Sequence, residues 1–429
     1  MLPWQGVIGK QSLGMKPGAH GKEPPTMPAT EKAKWPIGPS STVYHGPIGD
    51  FVQEIAADTE ADPIAVLGQA LVMFGSRIGR KAFVQVGADK HFANDFLMLI
   101  GSTSGGRKGT SVGVAKSLFD WPEPDALCLE PKNGLSSAEG LIWAVRDPVG
   151  KEEGVDDKRL LVVEPEFASV LRQTERHGNT LSALLRQCWE CGNLSTMTKN
   201  SPAKATGAHV SVIGHMTAAE VDRYFTRTEM ANGFGNRFLW LTSRRSKLIP
   251  EPKAITPTRC RKFRERLGDA LDVASQLREV ERTPDAWELW KNQYQFLERE
   301  RKGLAGDLLA RASQHVIRLS LIYCLADGKT AIGKEHLGAA LELWRYSERC
   351  IEYLFPNSTG DPIGDKVLNI VKDRPGISRK DLIHAMGNHV AGERLTILIE
   401  RLEHEGFIEM TTHGGKGSGS KPCETYYAA

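Results

Sequence analysis

The sequence predicts an α/β fold: a buried parallel sheet, then a helical segment, then a small C-terminal unit of three helices and a hairpin. Three observations carry that expectation. The runs at 96–100 and 160–163 are continuously apolar, as in strands covered on both faces, and 209–213 reads as a third buried strand. The first run leads directly into a Gly-rich loop and then a helix. Residues 361–429 join three short helical patterns to two β-like runs with Gly-rich sequence between them.

Composition narrows the class. The chain has 429 residues, 40% hydrophobic and 25% charged, with a formal net charge of +3. That is a globular composition, neither disordered nor fibrous. A chain this long buries a full core without disulfide or metal staples, and ~150 residues per domain suggests two to four domains. The longest strongly apolar stretch, 64–74, falls short of the ~20 residues that span a bilayer. The N-terminus has no apolar signal core, and seven scattered Cys fit a reducing compartment, so a cytoplasmic location is expected. Cys188 and Cys191 form a lone Cys-x-x-Cys; with no second ligand pair, helix packing is the expected role.

Residues 1–45 read as a disordered basic tail, rich in Gly and Pro, with five Lys against two Glu in residues 1–44. Segments 48–57 and 63–75 read as helices and 82–86 as a strand. The strand at 96–100 runs into the loop 101–111, and a helix continues to Phe119. Ser136 and Glu139 have capping-box spacing for a helix over 140–146. The strand at 160–163 ends in Glu164-Pro165-Glu166, and the strand at 209–213 in Gly214-His215. Residues 284–354 are helical with short breaks. Helices over 365–372, 378–386 and 392–405, with a hairpin of 407–412 and 425–427, make the pattern of a winged helix-turn-helix. The expected domains are a core over 46–255, a helical lid over 256–358 and the winged helix over 359–429.

The loop carries the strongest chemical signal. Cradling phosphate takes a Gly-rich turn at a helix N-terminus with backbone N–H groups turned inward. It also takes a Lys for the β/γ-phosphates and a hydroxyl for Mg²⁺. Gly101, Ser104, Gly105, Gly106, Arg107, Lys108, Gly109, Thr110 and Ser111 are the nucleotide-binding candidates, with Lys108 on phosphate and Thr110 on the metal. The usual Gly-Lys-[Ser/Thr] ending is broken, since Arg107 precedes the Lys and Gly109 follows it. A Gly-rich turn without a ligand is the bland alternative.

Hydrolysis also needs carboxylates at a neighbouring strand end, one for the Mg²⁺ shell and one for the attacking water. Glu164 and Glu166 stand at such an end, Glu164 as the metal candidate. Pro165 separates them, so which polarises water stays open, as does a helix-capping role. His215 and Thr217 follow the third strand, and Arg237 precedes an apolar run. Residues 199–249 hold eight Lys or Arg and three acids. Lys199 and Lys204 fall at an expected hairpin tip, where they meet either nucleic-acid phosphates or only water. Residues 361–429 hold nine basic and ten acidic residues. Arg379, Lys380, Arg394, Lys416 and Lys421 are candidates for a local DNA-facing surface, with protein docking as the other reading.

These residues add up to a resemblance. Gly49-Asp50-Phe51, the 101–111 loop, Glu164-Pro165-Glu166-Phe167, Gly214-His215-Met216-Thr217 and Asn232-Gly-Phe-Gly-Asn-Arg237-Phe238 resemble an uncharacterised P-loop family. That family is common in phage and plasmid genes and often fused to primases. The stretches 310–320 and 332–341 resemble the lid of minichromosome-maintenance helicases. The resemblance spans residues 46–356 and implies a P-loop NTPase core with an AAA+ or RecA-like sheet, using ATP and Mg²⁺. It implies that Lys108, Glu164, Glu166 and Arg237 are catalytic, Arg237 acting on the adjacent subunit. His215 would sense the γ-phosphate, Arg311 would be the lid sensor, and Lys199 and Lys204 would face a central channel.

The expected function is an ATP-dependent DNA helicase or translocase of a mobile-element replication system. It would act as a homo-oligomeric ring, a hexamer, with single-stranded DNA in the channel and duplex at the winged helix. Any primase would be a separate chain, and no membrane partner is expected. The alternative is an ATP-switched DNA-binding regulator or defence component that does not unwind.

Overall fold

The three expected strands become neighbours in one sheet. The computed structural model describes residues 34–119, 130–196, 203–225, 229–230, 232–356, 359, 361–387, 390, 392–413 and 423–429. An antiparallel hairpin, β1 (Phe83–Val86) and β2 (Asp89–Phe92), comes first. Next come β3 (Phe96–Gly101) and β4 (Arg159–Glu164), then the short antiparallel pair β5 (Leu194–Ser195) and β6 (Lys204–Ala205). After these follow β7 (His209–Met216) and β8 (Phe238–Ser243). Four of them form a parallel sheet in the order β4-β7-β3-β8. Every residue of β3, β7 and β8 is buried; β3 accordingly reads as an unbroken apolar run, whereas β7 also buries His209, Ser211 and His215.

The helices of this part are α1 (Gly46–Ile55), α2 (Pro63–Ile78), α3 (Lys108–Ser117), α4 (Ala138–Ala144), α5 (Phe167–Thr174), α6 (Leu181–Glu190) and α7 (Ala218–Tyr224). They continue as α8 (Pro257–Gln276), α9 (Pro284–Leu297), α10 (Gly303–Leu309), α11 (Ala312–Ala326) and α12 (Lys334–Leu354). In α2, Asp62 accepts from the Ile64 N–H as N-cap and Pro63 opens the first turn, where its missing N–H costs nothing. Residues 64–77 of α2 are all buried.

Several expectations are corrected. The body begins before residue 46: Val43 is fully buried, and the Ser40 N–H donates to Glu342 at 2.9 Å. The Tyr323 hydroxyl donates to the Val43 carbonyl at 2.7 Å. The helix after Ser136 is capped by Ser137, whose Oγ accepts from the Gly140 N–H at 3.1 Å, so no capping box forms with Glu139. α11 is buried almost along its length, and one hydrophobic core runs from Val43 to Phe355.

The C-terminal part comprises α13 (Pro362–Asp373), β9 (Ile377–Ser378), α14 (Arg379–Ala385), α15 (Gly392–His404), β10 (Ile408–His413) and β11 (Cys423–Ala428). Its strands form an antiparallel sheet in the order β10-β11-β9. A second core, with Val367, Leu382, Leu395, Leu402, Ile408 and Tyr426, holds it together. Among the described residues no helix is long and apolar enough to cross a membrane.

Candidate functional site

Parallel pairing brings four strand ends to one edge. Gly101 pairs with Ser243, Leu99 with His215, and Glu164 with Gly214. The Gly-rich loop leaves β3 at this edge and turns into α3. Two glycines make the turn possible: a Cβ on Gly101 would lie 2.7 Å from the Ser243 carbonyl oxygen, and one on Gly106 2.7 Å from that of Ser102. The neighbouring strand pins the loop. Ser243 Oγ donates to the Gly106 carbonyl at 2.7 Å, and the Arg245 N–H to that of Gly105 at 2.8 Å.

Lys108 opens α3 and its side chain folds back over the loop. Nζ donates to the Gly101 carbonyl at 2.6 Å and the Ser102 carbonyl at 3.2 Å. Burial lowers its pKa from the usual lysine value, with the Glu220 carboxylate opposing. The ammonium thus sits where the first-turn N–H groups of α3 lack intrahelical acceptors. Together they concentrate positive potential at the loop.

The hydroxyls divide. Thr110 is exposed beside the loop, whereas Ser111 is fully buried. Ser111 Oγ donates to the Lys108 carbonyl at 2.7 Å and accepts from Gln69 Nε2 at 2.8 Å. Gln69 Oε1 lies 2.9 Å from His215 Nε2. A relay of Ser111, Gln69 and His215 therefore ties α3 to β7 through α2. Burial, and then the charge of Lys108, lower the His215 pKa to about 4, so its ring is neutral at pH 7.

Arg107, counted among the nucleotide ligands, is held elsewhere. It is the one non-glycine with positive φ among the described residues, at 48°, and it pairs with Glu60 at 2.5 Å. Gly109 and Ser104 are exposed beside the loop, and Gly105 is half-buried.

Glu164 ends β4 almost fully buried, and its Oε1 accepts from the Leu135 N–H at 2.6 Å. Burial raises its pKa, with the N–H groups of Leu135 and Gly134 opposing. Glu166 is exposed at the N-cap of α5 and makes no side-chain cap bond.

Arg237 and Arg311 are not at this edge. Arg237 precedes β8, so the six-residue strand, about 20 Å long at ~3.3 Å per residue, separates it from the loop edge. Its Nη2 donates to Glu190 Oε1 at 2.7 Å, and its Nη1 to the Gly233 carbonyl. Arg311 Nη2 reaches the same Glu190 oxygen at 2.8 Å. Burial first, then Arg311, lower the Arg237 pKa to about 10, so it stays charged.

Lys204 is exposed on β6, whereas Lys199, Lys416 and Lys421 lie outside the described residues. Arg379 donates to Glu424 at 3.2 Å, leaving Lys380 and Arg394 exposed without that engagement. On α15 the exposed positions include Glu393, Arg394, Ile397, Glu400, Arg401 and Glu403, a surface of mixed charge. Cys188 is buried in α6, and Cys191 is exposed at its C-cap.

Gln69, Glu60 and Glu220 were missed by sequence reasoning. The Thr217–Glu220 spacing does carry a capping-box signal, and that box is formed. No known protein family matches the chain, and no curated protein matches it.

Proposed function

We propose that the chain is a P-loop ATPase whose core drives movement on DNA as a ring, with the C-terminal unit a winged helix that docks DNA or a partner protein. One observation carries the reading: Lys108 folded over a Gly-rich loop at the carboxyl edge of a parallel sheet, with Glu164 and His215 at the same edge. Open α/β sheets bind ligands at the carboxyl ends of their strands. Lys108 would meet the β/γ-phosphates, and Thr110 with Glu164 would hold Mg²⁺ and its waters. The neutral His215, its Nε2–H donated to Gln69 Oε1, would register the γ-phosphate through the Gln69–Ser111 relay. Glu166, exposed and close to Glu164 in sequence, would polarise the attacking water.

Arg237 lies beyond the opposite sheet edge from the Lys108 loop, so as a finger it would act on an adjacent subunit and would first have to leave Glu190. Calorimetry tests the core of the reading. Lys108→Ala should lower ATP affinity at least tenfold, and Glu166→Gln should retain binding while turnover falls at least a hundredfold. Unchanged ATP affinity in the Lys108 variant would remove the phosphate-loop assignment. Strand displacement then separates a helicase from an ATP-switched DNA-binding protein, which would displace nothing.

A further inference from the structure

A second concave site lies away from the Lys108 loop. It is a cavity of about 670 Å³ between the β1–β2 hairpin, the end of α6 and the start of α11. Arg80, Lys90, Arg311 and Arg318 line it against only Asp89 and Glu190. Among the described residues no carboxylate comes within 4 Å of the charged groups of Arg80, Lys90 or Arg318; the buried Asp95 and the exposed Glu190 act on Arg318 only from farther away.

Arg318 is the most telling of these. It is fully buried, and its guanidinium donates only to neutral oxygens: the Asn94 carbonyl at 2.6 Å, Asn94 Oδ1 at 2.8 Å and the Trp189 carbonyl at 2.7 Å. Buried charges are ordinarily paired, because desolvation without a counter-charge costs several kcal/mol. The wall also holds an unpartnered polar atom, His91 Nδ1, shielded from solvent. Burial first, then the charges of Arg318, Arg282 and Arg311, lower the His91 pKa to about 4, so its neutral ring can present an N–H. Arg80 is fixed over the Phe92 ring at 3.9 Å and donates to the Ala208 carbonyl at 3.2 Å. Among the described residues, the carboxylate touching Arg311 in the cavity is that of Glu190, itself exposed and shared with Arg237.

We propose that this cavity binds a small phosphate-bearing anion, such as pyrophosphate or the phosphate tail of a free nucleotide, and that Glu190 is the internal counter-ion the anion displaces from Arg311. The chemistry is that of guanidinium and ammonium donors on phosphate oxygens, with fork geometry from Arg311 and a point charge from Lys90. The site does not depend on the ATPase reading.

Pyrophosphate titrations by calorimetry test it, beginning with the Lys108→Ala chain so that the loop contributes little. One binding event should remain there. Adding Lys90→Ala, an exposed strand position, should weaken that event about threefold or more, and Arg80→Gln with Lys90→Ala at least tenfold. Glu190→Gln should tighten it several-fold by removing the competing carboxylate. Circular dichroism melts without ligand establish that each variant is folded. No binding in the folded Lys108→Ala chain, or an affinity indifferent to Lys90, Arg80 and Glu190, overturns the proposal. If instead Lys108→Ala leaves all binding intact and the Arg80/Lys90 variant abolishes it, the cavity stands and the loop assignment falls.

Discussion

Gln69 shows how much of a site can hang on a residue with no motif. Its amide joins Ser111, 42 positions away, to His215, 146 positions away. Gln69→Leu keeps the bulk but leaves both partners short of a bond inside the protein. The expected cost is about 1–3 kcal/mol of stability, read from denaturant midpoints, together with a fall in ATP turnover as α3 loses its tie to β7. Turnover unchanged in a destabilised variant would confine Gln69 to packing. Lys108 was legible from the Gly-rich loop around it, and His215 and Glu164 because each stands at the end of a strand. Gln69 was not, because it lies inside an otherwise apolar helical stretch and its partners become neighbours only in three dimensions. The inward turn of Ser111 was illegible for the same reason. The Lys-Gly-Thr-Ser sequence offers two hydroxyls, and only the packing of α2 on α3 chooses between them.

At the scale of elements, buried strands were the easiest reading, since coverage on both faces leaves an unbroken apolar signature. Ser378 at the start of α14 was equally plain, and its Oγ accepts from the Asp381 N–H at 3.2 Å. The helix α8 fell within the expected helical stretch from 256 but was not delimited, because its exposed side carries Arg261, Lys262 and Arg266 and its buried stripe includes Arg264. The β5–β6 hairpin was expected between the strands, and its paired base is present, with Leu194 opposite Ala205 and Ser195 opposite Lys204. Lys204→Ala with Lys199→Ala should weaken single-stranded DNA binding about equally for all sequences. Each lost contact should flatten the slope of log K against log salt by ~0.7. Basal ATPase should persist, because neither Lys199 nor Lys204 is among the nucleotide-binding candidates. An unchanged salt slope would reduce the hairpin to a solvated surface element.

Across the whole molecule, two predictions concern conditions and assembly. His209 and His215 are held neutral by burial, with pKa values lowered to about 3 and about 4. The unfolded chain, with His near 6.5, therefore binds more protons than the folded one between roughly pH 4 and 6.5. Their contribution is fully present above pH 6.5 and is lost as pH falls through that window. Urea midpoints should drop steadily from pH 6.5 to 4.5, and less steeply in His215→Gln; a flat profile would contradict the neutral-imidazole assignment. For assembly, Arg237→Ala subunits should bind ATP yet hydrolyse it poorly, and mixing them into wild-type protein should depress activity more than in proportion. A strictly linear loss would place Arg237 outside a neighbour's site.

The strand order also fixes when the loop can form. β3 is flanked by β7 and β8, and the Ser243 hydroxyl that latches the Gly106 carbonyl comes 137 residues later in the chain. During synthesis the loop residues emerge early, but their lateral supports are made only after more than a hundred further residues. Such non-local closure is slow, because its entropy cost precedes any reward from contacts. A chain halted before Ser243 carries the complete Gly-rich sequence with neither β8 nor its latch. Its loop is then open to proteases until elongation resumes.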